Sequence, residues 1–254
     1  AVEKNQEKYV QKGKLANYLT GLGFHEIFTN SISNSKFYSE NVLQTAVKMI
    51  NSLSNELNIM RPQMLQGGLQ VVAHNNNRKN YNLRLFEFGK TYSTGPDNNY
   101  TETNHLSFYS SGNITEQGWS AKAVKSDYFY LKGVVENSLS ILGITRAIFE
   151  PANVNGFQNY TEIKINNKAI AFLGEVDEDT MKQFDLKVPV FYADILWDEL
   201  LTLAKEKQIQ YREVSKFPAV ERDLSIVVDK NIPYAQIKKL ASSAGIEVLK
   251  STQL

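Results

Sequence analysis

An α+β fold with a mostly antiparallel sheet is predicted by three features of the 254-residue sequence. Helix-period and strand-period segments are interspersed, with no regular βαβ alternation. One stretch, Ile163-Lys164-Ile165, Asn166-Asn167, Ile170-Ala171-Phe172, has two apolar-rich arms around a two-residue turn, the pattern of a β-hairpin. Hydrophobic residues make up 42% of the chain and aromatic residues 11%, enough to bury a sizeable core and argue against disorder. The length fits one large domain, or one domain plus a smaller one.

The elements follow in order. Leu15, Tyr18, Leu19 and Leu22 recur at helical spacing, predicting a helix over roughly 6–21 that ends at Gly21 and Gly23. Phe24 to Ser33 reads as a strand made unusually polar by Asn30, Ser31 and Ser33, and Val47 to Asn51 as a short strand. Pro62 suits the first turn of a second helix, with Leu65, Leu69, Val72 and Ala73 as its stripe and Asn75-Asn76-Asn77 at its end. Leu83 to Tyr92 and Leu106 to Ser110 are strands separated by the breaker cluster Gly95-Pro96-Asp97-Asn98-Asn99. Asp127 caps a helix running to about Leu142, with Leu131, Val134, Val135 and Leu139 inward and Gly143 beyond its end. After the hairpin come a strand at Val190 to Ile195 and a helix at Trp197 to Lys205. The charged stretch Lys205 to Lys216 marks a boundary, so that 1–210 form a core and 211–254 a second domain. The latter reads as a strand at Arg222 to Asp229, a helix at Pro233 to Ser243 and a strand at Ile246 to Leu249. That β-α-β piece is too short to bury a core of its own.

Several function classes are excluded or weakened. The chain has no Cys, hence no disulfide, thiolate metal site or thiol nucleophile, and a reducing, cytoplasmic setting fits. Its net charge of +1 gives no global sign of nucleic acid or membrane, and no apolar run reaches the ~18 residues of a membrane span. The start Ala1-Val2-Glu3-Lys4 carries neither a signal peptide nor an initiator Met, so an excised fragment is expected. Charge is uneven, however: residues 61–95 hold Arg61, Arg78, Lys79, Arg84 and Lys90 against Glu87 alone. His25, His74 and His105 stand in separate elements, none in a nucleophile motif or with metal-ligand spacing. Glu175, Asp177, Glu178 and Asp179 lack the glycine and spacing of a calcium loop; they read as a strand end and a helix N-terminus. No Walker loop or G-x-G-x-x-G is present.

The informative stretch is 51–95. Asn51-Ser52-Leu53-Ser54-Asn55-Glu56 leads to Met60-Arg61-Pro62, a helix, and then Leu83-Arg84-Leu85-Phe86-Glu87-Phe88-Gly89-Lys90-Thr91-Tyr92. This arrangement resembles the class II aminoacyl-tRNA synthetase core and, within it, the β-subunit family of bacterial phenylalanyl-tRNA synthetases. That family's segment reads N-P-L-S-x-E, M-R, a Leu-rich helix and F-E-x-G-[KR]-x-[YF]; Ser52 departs from it. Ser215-Lys216-Phe217-Pro218-Ala219-Val220-Glu221-Arg222-Asp223-Leu224 is similar to the opening of the ferredoxin-fold anticodon-binding domain that ends the same subunits. The resemblance spans nearly the whole chain, although the family's histidines near Glu150-Pro151-Ala152 and after Gly174-Glu175 are missing.

The resemblance implies a class II core that has lost its chemistry. In active cores the strand F-x-x-G-x-x-[FY] runs into R-x-E, whose Arg grips the α-phosphate of ATP. Here Tyr92 is followed by Ser93-Thr94-Gly95, so Ser93 stands at the Arg position and Gly95 at the Glu position. The third class II motif needs a glycine-rich strand ending in Glu-Arg, and Val190 to Leu201 contains neither Gly nor Arg. The implied role is therefore non-catalytic: a β core that assembles with a catalytic α subunit as (αβ)₂ and helps position tRNA-Phe. ATP and Mg²⁺ are used by the parent enzyme, with no cofactor and no metal bound by this chain. No match to an editing or B5-like module occurs. Phe24 to Ser33 and its preceding helix resemble the first class II motif, a dimerisation element, so Phe24, Ile27, Asn30, Ser31, Asn51 and Arg61 are candidate subunit-interface residues. Arg84, Lys90, Lys216 and Arg222 are candidate tRNA or α-subunit contacts. Two rivals remain: a stand-alone regulatory or binding paralogue, and an active ligase with Arg84 and Lys90 as relocated phosphate ligands.

Overall fold

The computed structural model describes residues 2–52, 54, 56–95, 97, 99–205, 223–246, 249 and 252. The chain divides into two compact units, Ala1–Ile209 and Gln210–Leu254. Among the described residues no helix is long and apolar enough to cross a membrane.

The first unit begins with α1 (Val2–Gly21), which buries Leu15 and Leu19 and ends before Gly23 at φ 80°. A left-handed residue there stops a helix and suits glycine. The single strand expected over Phe24 to Ser33 is instead two short ones, β1 (His25–Glu26) and β2 (Ile32–Ser33). Between them Thr29 turns its backbone N–H and hydroxyl onto the Glu87 carboxylate, so the ladder cannot continue. The expected strand at Val47 to Asn51 is likewise absent. After a 3₁₀ turn (Ser35–Phe37) and α2 (Glu40–Leu43), only Lys48 bridges β3 (Ile59–Met60), whose other edge is taken by β2.

Helix α3 (Leu65–Asn76) starts later than Pro62, which lies outside it. Residue 61, disfavoured from helical geometry by the following proline, is held in extended pairing: its N–H donates to Ser31 O and its carbonyl accepts from Tyr92 N. Strands β4 (Leu83–Thr94) and β5 (Tyr100–Ser111) form a twelve-pair antiparallel ribbon. The small hairpin β6 (Asn113–Thr115) and β7 (Val124–Lys125) follows, then α4 (Tyr128–Ile141), capped by the Asp127 carboxylate accepting from Tyr130 N at 2.7 Å. Next are β8 (Ile148–Pro151), β9 (Phe157–Ile165) and β10 (Lys168–Val176). The β9–β10 turn has Asn166 at φ 50° and Asn167 at φ 63°, the left-handed pair that a tight hairpin requires and asparagine tolerates. Asp177 caps α5 (Glu178–Gln183), and β11 (Val190–Leu196) runs into α6 (Trp197–Lys205).

Seven strands form one sheet in the order β1-β4-β5-β11-β10-β9-β8, antiparallel throughout except for β1 against β4. Strand period sorts the side chains onto two faces. On the back face Phe86, Phe108, Ala193 and Leu173 align with Phe88, Leu106 and Ile195 beneath α1, α4 and α6. On the front face Leu85, Tyr109 and Tyr192 lie beside Glu87, Ser107, Asp194 and Phe172, and α3 covers the apolar half through Met64, Leu65, Leu69 and Val72. Gly68 lets α3 sit directly on the Tyr109 ring; a Cβ at 68 would overlap it.

In the second unit, helix α7 (Tyr234–Ser243) forms where expected, and the Tyr234 hydroxyl reaches Thr252 Oγ1 at 3.1 Å. The strand expected over Arg222 to Asp229 does not appear at 223–229. Strand geometry needs a partner ladder, and none of the described residues supplies one there.

Candidate functional site

A cleft of ≈ 390 Å³ opens at the end of the sheet where β4 and β5 carry Gly89, Lys90 and His105. The nearby cations are Lys8 and Lys12 on α1, Arg61 and Lys90. Each already has a carboxylate. Lys8 pairs with Asp198 at 2.6 Å, Lys12 with Glu26 at 3.6 Å, Lys90 with Glu102 at 2.5 Å and Arg61 with Glu87 at 2.9 Å. The hydrogen bond and charge of Glu102 hold the Lys90 ammonium above its ordinary pKa. No cation lining this cleft is left without a carboxylate for an incoming phosphate.

Arg61 is the most deeply built of the four. It is 3% exposed and Glu87 is 0% exposed, so both charges are removed from water. The Arg61 Nε donates to Lys90 O at 2.7 Å and its Nη1 to Glu87 Oε1. Glu87 also accepts from Thr29 N at 3.2 Å and Thr29 Oγ1 at 2.7 Å, so both oxygens of the buried carboxylate are hydrogen-bonded, as a buried ion pair needs. Gly89 makes room: a Cβ there would collide with the Arg61 guanidinium and the Met64 side chain.

Next to it is a buried chain of polar groups. Thr91 Oγ1 lies 2.8 Å from His105 Nε2, His105 Nδ1 lies 2.9 Å from Asp194 Oδ2, and Ser107 Oγ donates to Asp194 Oδ1 at 2.8 Å. The order hydroxyl, imidazole, carboxylate matches a nucleophilic triad, but the geometry does not serve one. Thr91 is 8% exposed and does not line the cleft, so its hydroxyl has no substrate to meet. The chain joins β4, β5 and β11 across the sheet.

The rest of the front face is aromatic. Tyr109 and Tyr192 stand with centroids 5.0 Å apart, Tyr192 stacks on Phe157 at 6.0 Å, and Phe172 stacks on Tyr160 at 5.2 Å. Burial drives the Tyr109 and Tyr192 hydroxyls well above their ordinary pKa. Burial, followed by the charges of Glu162 and Asp194, pushes Tyr160 up to about 12.

The residues singled out in the sequence distribute as follows. Phe24 is a correction: it is 1% exposed and packs edge-on against Phe108 in the core, so it offers no surface to a partner. Arg61 is a second correction: it is 3% exposed, and its Nε and Nη1 are spent inside the chain on Lys90 O, Thr29 Oγ1 and Glu87. Ile27 is half-buried and its N–H donates to Phe86 O at 2.8 Å. Asn30 is exposed and turns its side-chain oxygen onto Ile32 N, Ser31 lines the cleft, and Asn51 is exposed. Arg84 Nη1 donates to Leu22 O at 3.0 Å and satisfies the C-terminal end of α1, which favours a cation. Ser93 pairs with Thr101 in the β4–β5 ribbon, and Gly95 N donates to Asn99 O at 2.9 Å. Lys216 and Arg222 lie outside the described residues. Reading the sequence missed Phe28, which is 93% exposed at the cleft mouth; an aromatic residue amid Thr29, Asn30 and Ser31 was its only signal.

With this geometry in hand, the chain can be set beside known proteins. The family described as "Phenylalanyl tRNA synthetase beta chain CLM domain" matches residues 1–197, and "Ferredoxin-fold anticodon binding domain" matches 215–254. The phenylalanine–tRNA ligase beta subunit of Bacteroides thetaiotaomicron is 36% identical over 94% of this chain and 31% of that protein. The Porphyromonas gingivalis beta subunit is 30% identical over 99% of this chain and 32% of that protein. The chain thus spans about a third of the length of the curated relatives it matches. Among solved structures, the pyrrolysyl-tRNA synthetase of Desulfitobacterium hafniense superposes with a TM-score of 0.63, covering 79% of this chain and 70% of that one at 14% identity. That likeness shows a class II synthetase fold. By its matched domains and their order, the chain belongs to the phenylalanyl-tRNA synthetase β-chain family.

Proposed function

We propose that this chain is the non-catalytic core of the β subunit of a phenylalanine–tRNA ligase, with the beginning of its anticodon-binding domain. In this reading it assembles with a catalytic α subunit as (αβ)₂ in the cytoplasm and helps position tRNA-Phe. ATP and Mg²⁺ act in the α subunit, and this chain holds neither. One observation carries the reading: the positions where a class II core needs its phosphate-gripping pair hold Ser93 and Gly95, and every cation lining the cleft is already neutralised. Stabilising charge on a transferring adenylate needs a free, preorganised cation. Against the relocated-ligand reading, Arg84 is engaged at the end of α1 and Lys90 with Glu102. Against a stand-alone paralogue, the second domain match follows the core in the order of the β chain.

The surface offered to a partner is the outer side of α1, with Tyr9 and Val10 exposed, continued by Phe28 and Asn30. Isolated large apolar groups beside polar ones match the mixed character of subunit interfaces. The test is co-purification with the α subunit, then phenylalanine-dependent ATP–pyrophosphate exchange by each chain and by the mixture. The reading expects a complex, with no exchange by this chain alone. Exchange by this chain alone refutes the loss of chemistry, and failure to bind α removes the assembly role.

A further inference from the structure

The opposite end of the β4–β5 ribbon carries a different surface. Two exposed turns are fastened there through one side chain: Asn113 N donates to Asn82 Oδ1 at 2.8 Å, and Asn82 Nδ2 donates to Glu116 Oε1 at 3.0 Å. The first turn, 77–82, follows α3 and presents Arg78, Lys79 and Tyr81. The second is the β6–β7 hairpin, whose tip closes through Gly118 N donating to Ala121 O at 2.9 Å. That tip holds Trp119 at 100% exposure, with Lys122 and Lys125 on the returning arm.

The cations here have no acidic partner. None of Arg78, Lys79, Lys122 and Lys125 lies within ion-pair distance of a carboxylate among the described residues. Arg78 gives one N–H to His74 O at 3.0 Å. The acids of the two turns are otherwise engaged, Glu116 by Asn82 and Asp127 by the first turn of α4. A fully exposed indole amid four unpaired cations suits an unpaired base stacked on the ring with neighbouring phosphates neutralised. A protein partner with an apolar face would have to desolvate those four charges without compensation.

We propose that Arg78, Lys79, Tyr81, Trp119, Lys122 and Lys125 form a binding surface for single-stranded RNA. Trp119 is the stacking platform, and the four cations follow the backbone. Recognition by stacking and charge is tolerant of sequence, since every base has a π-face. The surface stands on this chain's own residues; that its RNA is an unpaired segment of a tRNA rests on the functional reading above.

The test measures fluorescence anisotropy of a labelled 12-nucleotide oligo(U) RNA titrated with the 254-residue chain. Trp119→Ala is expected to weaken binding about tenfold. Lys122→Gln with Lys125→Gln is expected to flatten the dependence of log K on log salt by about 1.4, two phosphate contacts at roughly 0.7 each. All three positions are exposed, so the variants keep the core intact. No anisotropy rise with the parent chain overturns the proposal, as does equal affinity for Trp119→Ala. Absence of RNA binding together with shielding of Trp119 from acrylamide by the α subunit also overturns it, and assigns the surface to a protein contact. Whether the subunits assemble is read separately by co-purification, so the two failures are distinguishable.

Discussion

The two ends of the β4–β5 ribbon treat positive charge in opposite ways. At the cleft, Lys8, Lys12, Arg61 and Lys90 are each matched with a carboxylate, one of them in the interior. At the far end, Lys79, Lys122 and Lys125 have none among the described residues, and the indole of Trp119, in the same hairpin as Lys122 and Lys125, is fully exposed. A buried matched charge such as Arg61 with Glu87 is structural and lost to any ligand, whereas the exposed pairs of Lys8, Lys12 and Lys90 only lower the charge an incoming anion meets. An unmatched charge costs the fold little and remains available. Under the proposed function, the cleft of this class II fold serves as framework, and the cations without a carboxylate lie elsewhere among the described residues.

The sharpest way to break this contrast is to remove one partner of the buried pair. Arg61→Ala strands Glu87 in the interior and is expected to cost about 3–5 kcal/mol, read from urea unfolding. The double change Arg61→Met with Glu87→Leu should recover much of that loss; a double variant no better than Arg61→Ala would show that packing around Gly89 matters more than charge. Next, Asp194→Ala leaves His105 and Ser107 without their acceptor and is expected to cost about 2 kcal/mol. An unchanged stability would mean that the polar chain is idle.

A smaller effect depends on pH. Burial works to raise the Asp198 carboxyl, but hydrogen bonds from Lys8 and Asn104 and the charges of Lys8 and Lys90 outweigh it, and its pKa is lowered. A lowered folded pKa adds stability above the unfolded value of about 3.9, and that stability is lost as pH falls through the folded value. The difference between the parent and Asp198→Asn should therefore be constant at neutral pH and vanish in strong acid. A difference that persists there would point to shape, not charge. The smallest effect belongs to the far end, where Lys122→Gln and Lys125→Gln should each leave stability within about 0.5 kcal/mol. A larger loss would reveal a partner for those lysines and end the contrast.

What could be read from the sequence was what local chemistry decides. Asp127 as a helix cap, the Asn166-Asn167 turn and the acids at the start of α5 each act within four residues, and each appears in the structure. The misread segments depend on distant partners. Thr29 breaks the Phe24 to Ser33 strand because Glu87 is 58 residues away in sequence and adjacent in space. Arg61 looked like a surface cation for the same reason, its carboxylate being 26 residues further on in another strand. Asp194 reaches His105 across 89 residues, a pairing no spacing rule reveals. Ser93 and Gly95 drew notice in the sequence because a motif states which residue is expected at each position, and in the structure both lie where β4 gives way to the following turn. The exposure of Trp119 depends on the packing of whole elements and leaves no trace in a one-dimensional pattern, and that of Phe28 leaves only its polar neighbours as a hint.

The register of β11 against β5, Val190 with Ser111 through Leu196 with His105, also has a consequence in time. Among the described residues it is the one ladder joining the N-terminal strands β1, β4 and β5 to the C-terminal meander of β8 to β11. Each half can zip through short loops, whereas this seam must close a loop of roughly 80 residues, a slow step for any chain. The carboxylate of Asp194 lies on the same seam, bonded to Ser107 and His105, and loses its water only when the halves meet. Folding is thus expected to wait on one docking event. A chain nicked in the turn between α4 and β8 would divide into two half-sheets whose reunion becomes bimolecular.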